Sequence, residues 1–264
     1  MMNRGYQLPP LTVVKVGGAV VDDADALSSL LAKFAALRGP RILVHGGGRT
    51  ATQVASDLNI TTRMVEGRRI TDEQMLRVVT MVYGGLVNKT IVTQLQQRQV
   101  NALGLSGADM NIIVSHRRPP RGGVDYGLVG DIDRVDADAL CALLDAGVTP
   151  VIAPLTHDGR GQLLNTNADT IASSVACALT RYFRVTLVYV FEKPGVLARA
   201  DDDKSVIPLI NHQLYGQLVA EGTISGGMLP KIQNALDAVD RGVDTVVIQQ
   251  ASALGTGLGT LVKA

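Results

Sequence analysis

The residues of this chain that could do chemistry begin with a lysine inside a short apolar run. Lys15 lies in the segment Val13-Val14-Lys15-Val16 and is followed directly by Gly17 and Gly18. Valines favour a buried strand, and paired glycines allow a tight turn in which the backbone approaches a ligand closely. A buried lysine is costly unless its ammonium group meets an anion. The segment therefore indicates an anion site; the alternative is an edge-strand lysine that reaches into water.

A second predicted strand, Arg41–His45, also runs into glycines, at Gly46, Gly47 and Gly48. In a parallel sheet both turns would lie at the carboxyl edge, where their N–H groups can face a phosphate or an oxyanion. The chain has no Gly-x-x-x-x-Gly-Lys-Ser/Thr motif, which excludes a P-loop NTPase. An acyl hydrolase is disfavoured because the nearest Gly-x-Ser-x-Gly candidate, residues 104–108, lacks its last glycine.

Two further clusters come later in the chain. Asn165, Asn167 and Asp169 alternate just where a helix is predicted to begin, and three such groups exceed what one helix cap needs. Gly226-Gly227 precede another predicted helix, which carries Lys231 in its first turn. The helix dipole disfavours a cation there, so the lysine indicates an anionic partner, with a solvated lysine as the alternative.

The elements that must position these residues alternate between strands and helices from the start of the chain. This alternation predicts an α/β protein whose mostly parallel sheet is covered on both faces. A long helix is predicted from an N-cap at Thr71 to about Gln99, with a break or a close helix crossing at Gly84-Gly85. Its apolar residues could form a dimer contact or simply pack in the core.

Composition limits the classes of partner. The chain has 264 residues, a net charge of +1 and only 3% aromatic residues, which argues against a nucleic-acid surface. No apolar run reaches the length of a membrane span. Cys141 and Cys177 lie in apolar helical contexts and are predicted to be two buried free thiols in a reducing compartment. We therefore expect a soluble cytoplasmic protein without nucleic-acid or membrane partners.

Taken together, the motifs occur in the order found in N-acetylglutamate kinases of the amino acid kinase family, which this chain resembles over nearly its whole length. The matching segments are Lys15-Val-Gly-Gly, His45-Gly-Gly-Gly, Gly67-Arg-Arg-Ile-Thr71, Asn165-x-Asn-Ala-Asp169 and Gly226-Gly-Met-x-x-Lys231. The resemblance implies a three-layer αβα sandwich around a mainly parallel sheet, as one domain over residues 1–264. An N-terminal lobe, about 1–170, would bind the acylated amino acid and dimerise, and a C-terminal lobe, about 171–264, would bind MgATP.

The resemblance also implies a role for each matching residue. Lys15 and Lys231 would bridge the transferring phosphoryl group, and Asp169 would position both lysines. Arg69 would clamp the α-carboxylate of the substrate, for which a bidentate guanidinium is well shaped. The remaining roles are backbone N–H donation to the phosphoryl group by Gly18 and Gly47, substrate contact by Gly48, Asn165 and Asn167, and nucleotide contact by Gly195, Gly226 and Gly227. No residue is assigned as a metal ligand, and Mg²⁺ would accompany ATP.

The implied reaction is ATP-dependent phosphorylation of the γ-carboxylate of N-acetyl-L-glutamate to N-acetyl-L-glutamyl 5-phosphate, in arginine biosynthesis. Such a carboxylate, with a pKa of about 4.3, is ionised at neutral pH and needs no general base. Catalysis then reduces to aligning two anions and neutralising the transferred charge, for which lysines and glycine turns suffice. The alternatives are an N-succinyl-L-glutamate kinase, another carboxylate kinase such as an N-acetylaminoadipate kinase, and a non-catalytic sensor.

Three features depart from the family pattern or bear on regulation. Phe191-Glu192-Lys193-Pro194-Gly195 stands where relatives carry Thr-Asp-Val-x-Gly, beside the nucleotide. Arg68, together with a loop containing Arg117, Arg118 and Arg121, adds positive charge that would suit a succinyl group. Few residues precede the first predicted strand, so we expect no N-terminal helix of the kind that links arginine-inhibited relatives into hexamers. An arginine-insensitive homodimer is the expectation.

Overall fold

The computed structural model describes residues 8–65, 67–224, 226 and 228–263. Its strands are short and alternate with helices along the chain. They are β1 (Pro10–Val16), β2 (Arg41–His45), β3 (Met64–Val65), β4 (Arg68–Arg69), β5 (Ala102–Leu105), β6 (Ile113–Arg117), β7 (Gly130–Val135), β8 (Thr149–Ile152), β9 (Leu155–His157), β10 (Leu163–Asn165), β11 (Arg184–Phe191), β12 (Leu209–Ile210), β13 (Thr245–Gln250) and β14 (Thr260–Val262).

The helices connect these strands and cover the sheet. They are α1 (Gly18–Val21), α2 (Ala24–Ala35), α3 (Gly48–Asp57), α4 (Glu73–Val79), α5 (Asn88–Gln97), α6 (Ala137–Asp145), α7 (Ala168–Leu179), α8 (His212–Ala220) and α9 (Met228–Asp240). Short 3-10 turns occur at Asp109–Asn111 and Ala251–Ala253.

The central sheet has eight strands in the order β12-β14-β13-β11-β1-β2-β8-β5, and every neighbouring pair is parallel except β13 and β14. Both faces of β1 are buried: Leu11 and Val13 pack in a core with α7, whereas Val14 and Val16 pack in a second core with α2. A strand buried on both faces reads as a continuous apolar run, as the valines of β1 do. The three-layer α/β architecture expected from the sequence is confirmed.

A smaller, four-stranded sheet in the order β10-β9-β6-β7 and a two-stranded hairpin, β3–β4, stand apart from the central sheet. Within the smaller sheet, β6 pairs with β7 in antiparallel orientation, so that Ile113–Arg117 lie beside Gly130–Val135. The small sheet carries Asn165 at the end of β10, and the hairpin carries Arg69. These accessory elements therefore supply two of the predicted substrate-binding residues.

The long helix predicted from Thr71 differs in detail. Asp72, rather than Thr71, caps α4, because its side chain accepts a hydrogen bond from Met75 N at 2.8 Å. Thr71 is buried instead and donates its hydroxyl hydrogen to Arg69 O. Between α4 and α5 the chain runs through a π-helical segment, Thr80–Val87, which contains Gly84-Gly85. The expected interruption is therefore a widening of the helix turn.

The cysteines and the lengths of the helices are also subjects of sequence predictions. Both cysteines are free thiols and Cys177 is buried, as predicted. The predicted burial is wrong for Cys141, which is partly exposed because α6 turns Leu140 and Leu144 toward the core instead. Burial raises the pKa of both thiols. Among the described residues, no helix has the length and apolarity needed to cross a membrane.

Candidate active site

The structure brings Lys15, Asp169 and Lys231 together at the carboxyl edge of the central sheet. Lys15 lies on the face of β1 that packs against α7, so its Nζ atom reaches Asp169 Oδ1 at 2.7 Å. Asp169 lies in the first turn of α7, where the helix dipole favours a carboxylate. Lys15 is only 7% exposed, so this ion pair is largely removed from water. The buried lysine seen in the sequence has a partner.

Lys231 approaches the same cluster from α9. Its Nζ atom lies 4.0 Å from the centroid of the Phe191 ring, and Lys15 Nζ lies 5.4 Å from the same ring. Burial is the main cause that lowers the pKa of Lys231, and the charge of Lys15 adds to it, whereas Asp169 and Glu192 oppose it. Two ammonium groups beside one partly buried carboxylate leave an excess of positive charge, which favours an anionic ligand.

The two glycine turns lie against each other next to this cluster. A Cβ atom built on Gly18 would lie 3.8 Å from Gly48 N and 4.0 Å from Gly47 N. Gly47 is the N-cap of α3 and has φ +145°, and a Cβ there would lie 3.2 Å from the Tyr83 ring. Only glycine suits this position. The first N–H groups of α1 and α3 lack intrahelical acceptors and can donate to a phosphoryl oxygen.

A buried pair that the sequence did not reveal supports the second glycine turn. His45 and Asn88 are almost fully buried, and Asn88 Nδ2 donates to His45 Nε2 at 3.1 Å and to Val151 O at 2.9 Å. Because Nε2 accepts, the ring hydrogen lies on Nδ1, which donates to Gly46 O at 2.7 Å. A neutral imidazole thus fixes the carbonyl that begins the turn. Burial lowers the pKa of His45 to about 4.

This neutral histidine predicts an acid-dependent loss of stability. Because the pKa of His45 falls from 6.5 to about 4 on folding, the unfolded chain binds a proton that the folded chain does not between these values. The free energy of unfolding should therefore fall as the pH is lowered from about 6.5 to 4, by about 3 kcal/mol from this residue. Urea denaturation of the native chain and of His45→Gln at pH 7 and pH 4.5 measures it.

The comparison rests on the pH dependence of each variant, not on its absolute stability, because His45→Gln also removes packing and hydrogen bonds. His116→Gln, which replaces an exposed histidine paired with Asp133, is the matched control and should keep the native acid dependence. Equal acid dependence of His45→Gln and the native chain would contradict the prediction.

Arg69 is the second buried cation of the site. It is 7% exposed, and its guanidinium donates to Gly48 O at 2.8 Å, Thr52 Oγ1 at 2.9 Å and Thr62 Oγ1 at 3.2 Å. Among the ion pairs formed by the described residues, none involves Arg69. A buried guanidinium held only by neutral acceptors favours a ligand carboxylate, which would supply the missing charge.

Asn165 lies beside Arg69 and is linked to it through Thr71. Thr71 Oγ1 donates to Arg69 O at 3.0 Å, so the same oxygen accepts the hydrogen bond from Asn165 Nδ2 at 2.9 Å. The network therefore assigns the amide orientation of Asn165 and leaves its Oδ1 atom as an acceptor for a ligand. Asn165 is 9% exposed and lines a small cavity.

Two adjoining cavities divide the site. The larger, 550 Å³, is lined by both lysines, Asp169, Phe191, Glu192 and Gly195; the smaller, 180 Å³, is lined by Asn165, Asn167 and Tyr83. Gly48, Met64 and Arg69 line both. The two cavities therefore meet at the glycine turn and at the buried guanidinium. Such a site can hold two anionic molecules end to end, with the lysine cluster in the larger compartment.

The remaining residues predicted to contact the substrate or the nucleotide lie around the two cavities in different environments. Asn167 is exposed and caps α7 by accepting from Thr170 N at 3.0 Å, while also lining the small cavity. Gly195 lies where a Cβ would come within 2.7 Å of Val206, so only glycine fits without rearrangement. Gly226, with φ +53°, precedes α9. Gly227 lies outside the described residues.

The loop arginines carry less free charge than the sequence suggests. Arg117 pairs with Asp125 at 2.9 Å, and Arg118 pairs with Asp131. Arg68 and Arg121 line a neighbouring surface cleft together with Arg118. Because two of the three loop arginines already face carboxylates, the charge argument for a succinyl group is weaker than expected. Side-chain pairing of this kind cannot be read from composition.

The fold and the site agree with the protein family that the sequence matches. Residues 10–250 match the amino acid kinase family, and the chain belongs to that family. An N-acetylglutamate synthase from Neisseria gonorrhoeae, solved with coenzyme A and N-acetyl-glutamate, has a similar fold with a TM-score of 0.82. It is 24% identical, and the match covers 96% of this chain and 59% of that one. At this identity the likeness concerns the fold alone.

Among curated proteins, the similarity is to one group within the family. An acetylglutamate kinase from Bacteroides fragilis is 58% identical over 253 residues, covering 96% of this chain and 97% of that protein. An acetylglutamate kinase from Phocaeicola vulgatus is 56% identical over 253 residues, with coverage of 96% and 98%. The resemblance seen in five sequence motifs is confirmed.

Proposed function

We propose that this protein is an acetylglutamate kinase, which transfers the γ-phosphoryl group of ATP to the γ-carboxylate of N-acetyl-L-glutamate in arginine biosynthesis. The observation that carries the proposal is the Lys15–Asp169–Lys231 cluster, with its excess positive charge, facing two glycine turns. The high identity to curated acetylglutamate kinases supports the same activity. A carboxylate acceptor agrees with a site that offers cations and amide donors around the ligand.

In this proposal the small cavity holds the amino acid. The α-carboxylate of N-acetylglutamate accepts hydrogen bonds from Arg69, whose burial strengthens a charge-assisted contact. Asn165 Oδ1 accepts the N–H of the acetamido group, because its Nδ2 is committed to Thr71. Gly48 and Asn167 border the same compartment. The γ-carboxylate then extends toward the glycine turns and the larger cavity.

The larger cavity holds the phosphates. An oxygen of the γ-carboxylate attacks the γ-phosphorus, the bond to the β-phosphate oxygen breaks, and ADP departs without any proton transfer. Lys15, Lys231 and the N–H groups of Gly18 and Gly47 neutralise the charge of the transferred group. Asp169 holds Lys15 in place. Mg²⁺ would arrive on the nucleotide phosphates, and Gly195, Gly226 and Gly227 would border the nucleotide.

The proposal divides the work between two lobes of one domain. Residues of about 1–170, with Arg69 and Asn165, would bind the amino acid and form a dimer, and residues of about 171–264, with Gly195 and Lys231, would bind MgATP. The two lobes would share the central sheet, in which β1 pairs along its length with β11. A cytoplasmic location, to which the two free cysteines are suited, completes the proposal.

A homodimer would use the edge of the central sheet that no other strand covers among the described residues. Strand β5 is the last strand on that side, and it exposes Leu103 (39%). The neighbouring π-helical segment exposes Met81 (54%) and Leu86 (55%). An edge strand beside exposed apolar residues favours pairing with a second copy.

Light scattering after size-exclusion chromatography should give twice the chain mass of 27.9 kDa. The double variant Leu86→Glu/Leu103→Glu should elute as a monomer, because it would bury charges at the contact. Leu258→Glu, which alters a residue that is 66% exposed elsewhere, is the control and should remain dimeric. A native monomer would refute the assembly.

The activity is tested with purified protein, MgATP and hydroxylamine, which traps acyl phosphates as hydroxamates. N-acetyl-L-glutamate should give efficient turnover, whereas N-succinyl-L-glutamate and N-acetyl-L-aminoadipate should be used at least tenfold less well. A preference for either analogue would overturn the proposed substrate, and the absence of hydroxamate with all three would overturn the kinase activity.

A further inference from the structure

One aromatic ring contacts both lysines of the candidate site. Phe191 is the last residue of β11, the strand that pairs with β1, and its side chain is partly buried. The ring centroid lies 4.0 Å from Lys231 Nζ and 5.4 Å from Lys15 Nζ. Tyr189 stacks beside the ring, with centroids 6.0 Å apart and an interplanar angle of 10°. Tyr189 therefore supports the Phe191 ring in a position where it contacts the ammonium groups of Lys15 and Lys231.

The contact between the Phe191 ring and the lysines is electrostatically favourable. The face of an aromatic ring is negatively polarised and attracts an ammonium group, most strongly where water is excluded. Asp169 supplies one negative charge for two lysines, and it is Lys15 that it contacts at 2.7 Å. The ring gives Lys231 a favourable neighbour without adding a formal charge. The other nearby carboxylate, Glu192, pairs with Arg49 at 3.0 Å, so the positive excess that a phosphoryl group requires is kept.

We propose that Phe191 is a positioning residue for phosphoryl transfer, whose ring face holds Lys231, and to a lesser degree Lys15, at the place where the transferred group develops charge. The proposal rests on the proposed kinase function and adds a residue to it. Because the ring lies under the ammonium groups, its effect should appear in kcat. A ring that instead contacted the nucleotide base would act on the KM for ATP.

The sharpest test changes the electrostatics of the ring and leaves its shape nearly unchanged. Site-specific replacement of Phe191 by 3,4,5-trifluorophenylalanine weakens the negative face, and kcat should fall about five- to thirtyfold with the KM for ATP changed less than about threefold. The same replacement at Phe183, a buried core residue, is the matched control and should leave kcat unchanged. Natural variants extend the series: Phe191→Leu should lose at least as much, and Phe191→Tyr should stay within about threefold of the native kcat.

A pH profile separates this role from a merely structural one. Lys231 faces Lys15 from β1, Asp169 from α7, and Glu192 and Phe191 at the end of β11. Loss of the negative ring face should destabilise the ammonium form of Lys231. The alkaline fall of kcat should therefore begin at lower pH, by about 0.5 to 1, in Phe191→Leu than in Phe191→Tyr.

The outcomes are distinguishable from a failure of the proposed function. Native-like kcat in the trifluorinated protein, or a change confined to the KM for ATP, overturns the inference while the kinase activity stands. If the native protein phosphorylates none of the tested acids, the proposed function fails, and the contact is tested by NMR titration of ¹³C-labelled lysine. An unchanged Lys231 pKa in the trifluorinated protein would then overturn the inference.

Discussion

Replacement of either Lys15 or Lys231 by alanine is expected to lower kcat about 10³-fold. The basis is that removing a single donor from a developing oxyanion costs about 10²- to 10³-fold in rate, and each lysine also supplies a full charge. Lys15 is 7% exposed and Lys231 is partly buried, so little water is available to replace them. Steady-state kinetics with N-acetyl-L-glutamate and MgATP measures the loss.

Two controls make this prediction specific. Lys204→Ala removes an exposed lysine from a loop and should leave kcat unchanged. Lys15→Met keeps most of the side-chain volume and should lose activity like Lys15→Ala, which shows that charge rather than packing is responsible. Unchanged turnover in both Lys15→Ala and Lys231→Ala would rule out the two-lysine mechanism.

Arg69→Lys is expected to raise the KM for N-acetyl-L-glutamate about 100-fold while changing kcat only a few-fold. A lysine keeps the charge but cannot donate to Gly48 O, Thr52 Oγ1 and a carboxylate from one rigid fork. Loss of charge-assisted hydrogen bonds of this kind costs about 1.5 to 3 kcal/mol each. Because Arg69 is proposed to bind the non-reacting end of the substrate, the loss should appear mainly in binding.

Arg63→Lys is the matched control for this prediction, since Arg63 is exposed at the start of the same hairpin segment. It should leave both kinetic constants near their native values. Thermal unfolding of Arg69→Lys distinguishes a binding defect from a folding defect. A rise in the KM for ATP, with the KM for N-acetyl-L-glutamate unchanged, would contradict the assignment of Arg69 to the amino-acid end.

The sequence predicts the parts of the site that conflict with their local surroundings. Lys15 interrupts an apolar strand, and Lys231 lies at a helix start that disfavours a cation; both anomalies disappear once Asp169 and Phe191 are seen nearby. Such conflicts are visible without coordinates because they concern neighbours in the chain. The alternation of strands and helices likewise predicts the parallel sheet. Several predicted ends of strands and helices lie within a few residues of the ends in the structure.

Contacts between distant segments could not be predicted in the same way. His45 and Asn88 are separated by 43 positions, and nothing near Asn88 in the chain marks it as polar support for a glycine turn. In the sequence, Phe191 stands out only as a departure from the family motif. The pairing of Arg118 with Asp131, which reduces the free charge of its loop, also depends on the register of β6 and β7. These features arise from tertiary packing.

The separation of the accessory hairpin and small sheet from the central sheet has a consequence for how this architecture can diversify. The lysines and glycine turns come from the central sheet and the helices packed on it, whereas Arg69 and Asn165 come from β4 and β10. Loops and accessory strands tolerate change better than a buried parallel sheet, although any replacement of the hairpin must preserve the support that Arg69 gives to Gly48 O and Thr52 Oγ1. The residues proposed to bind the acceptor can thus change while the lysines and glycine turns of the central sheet stay the same.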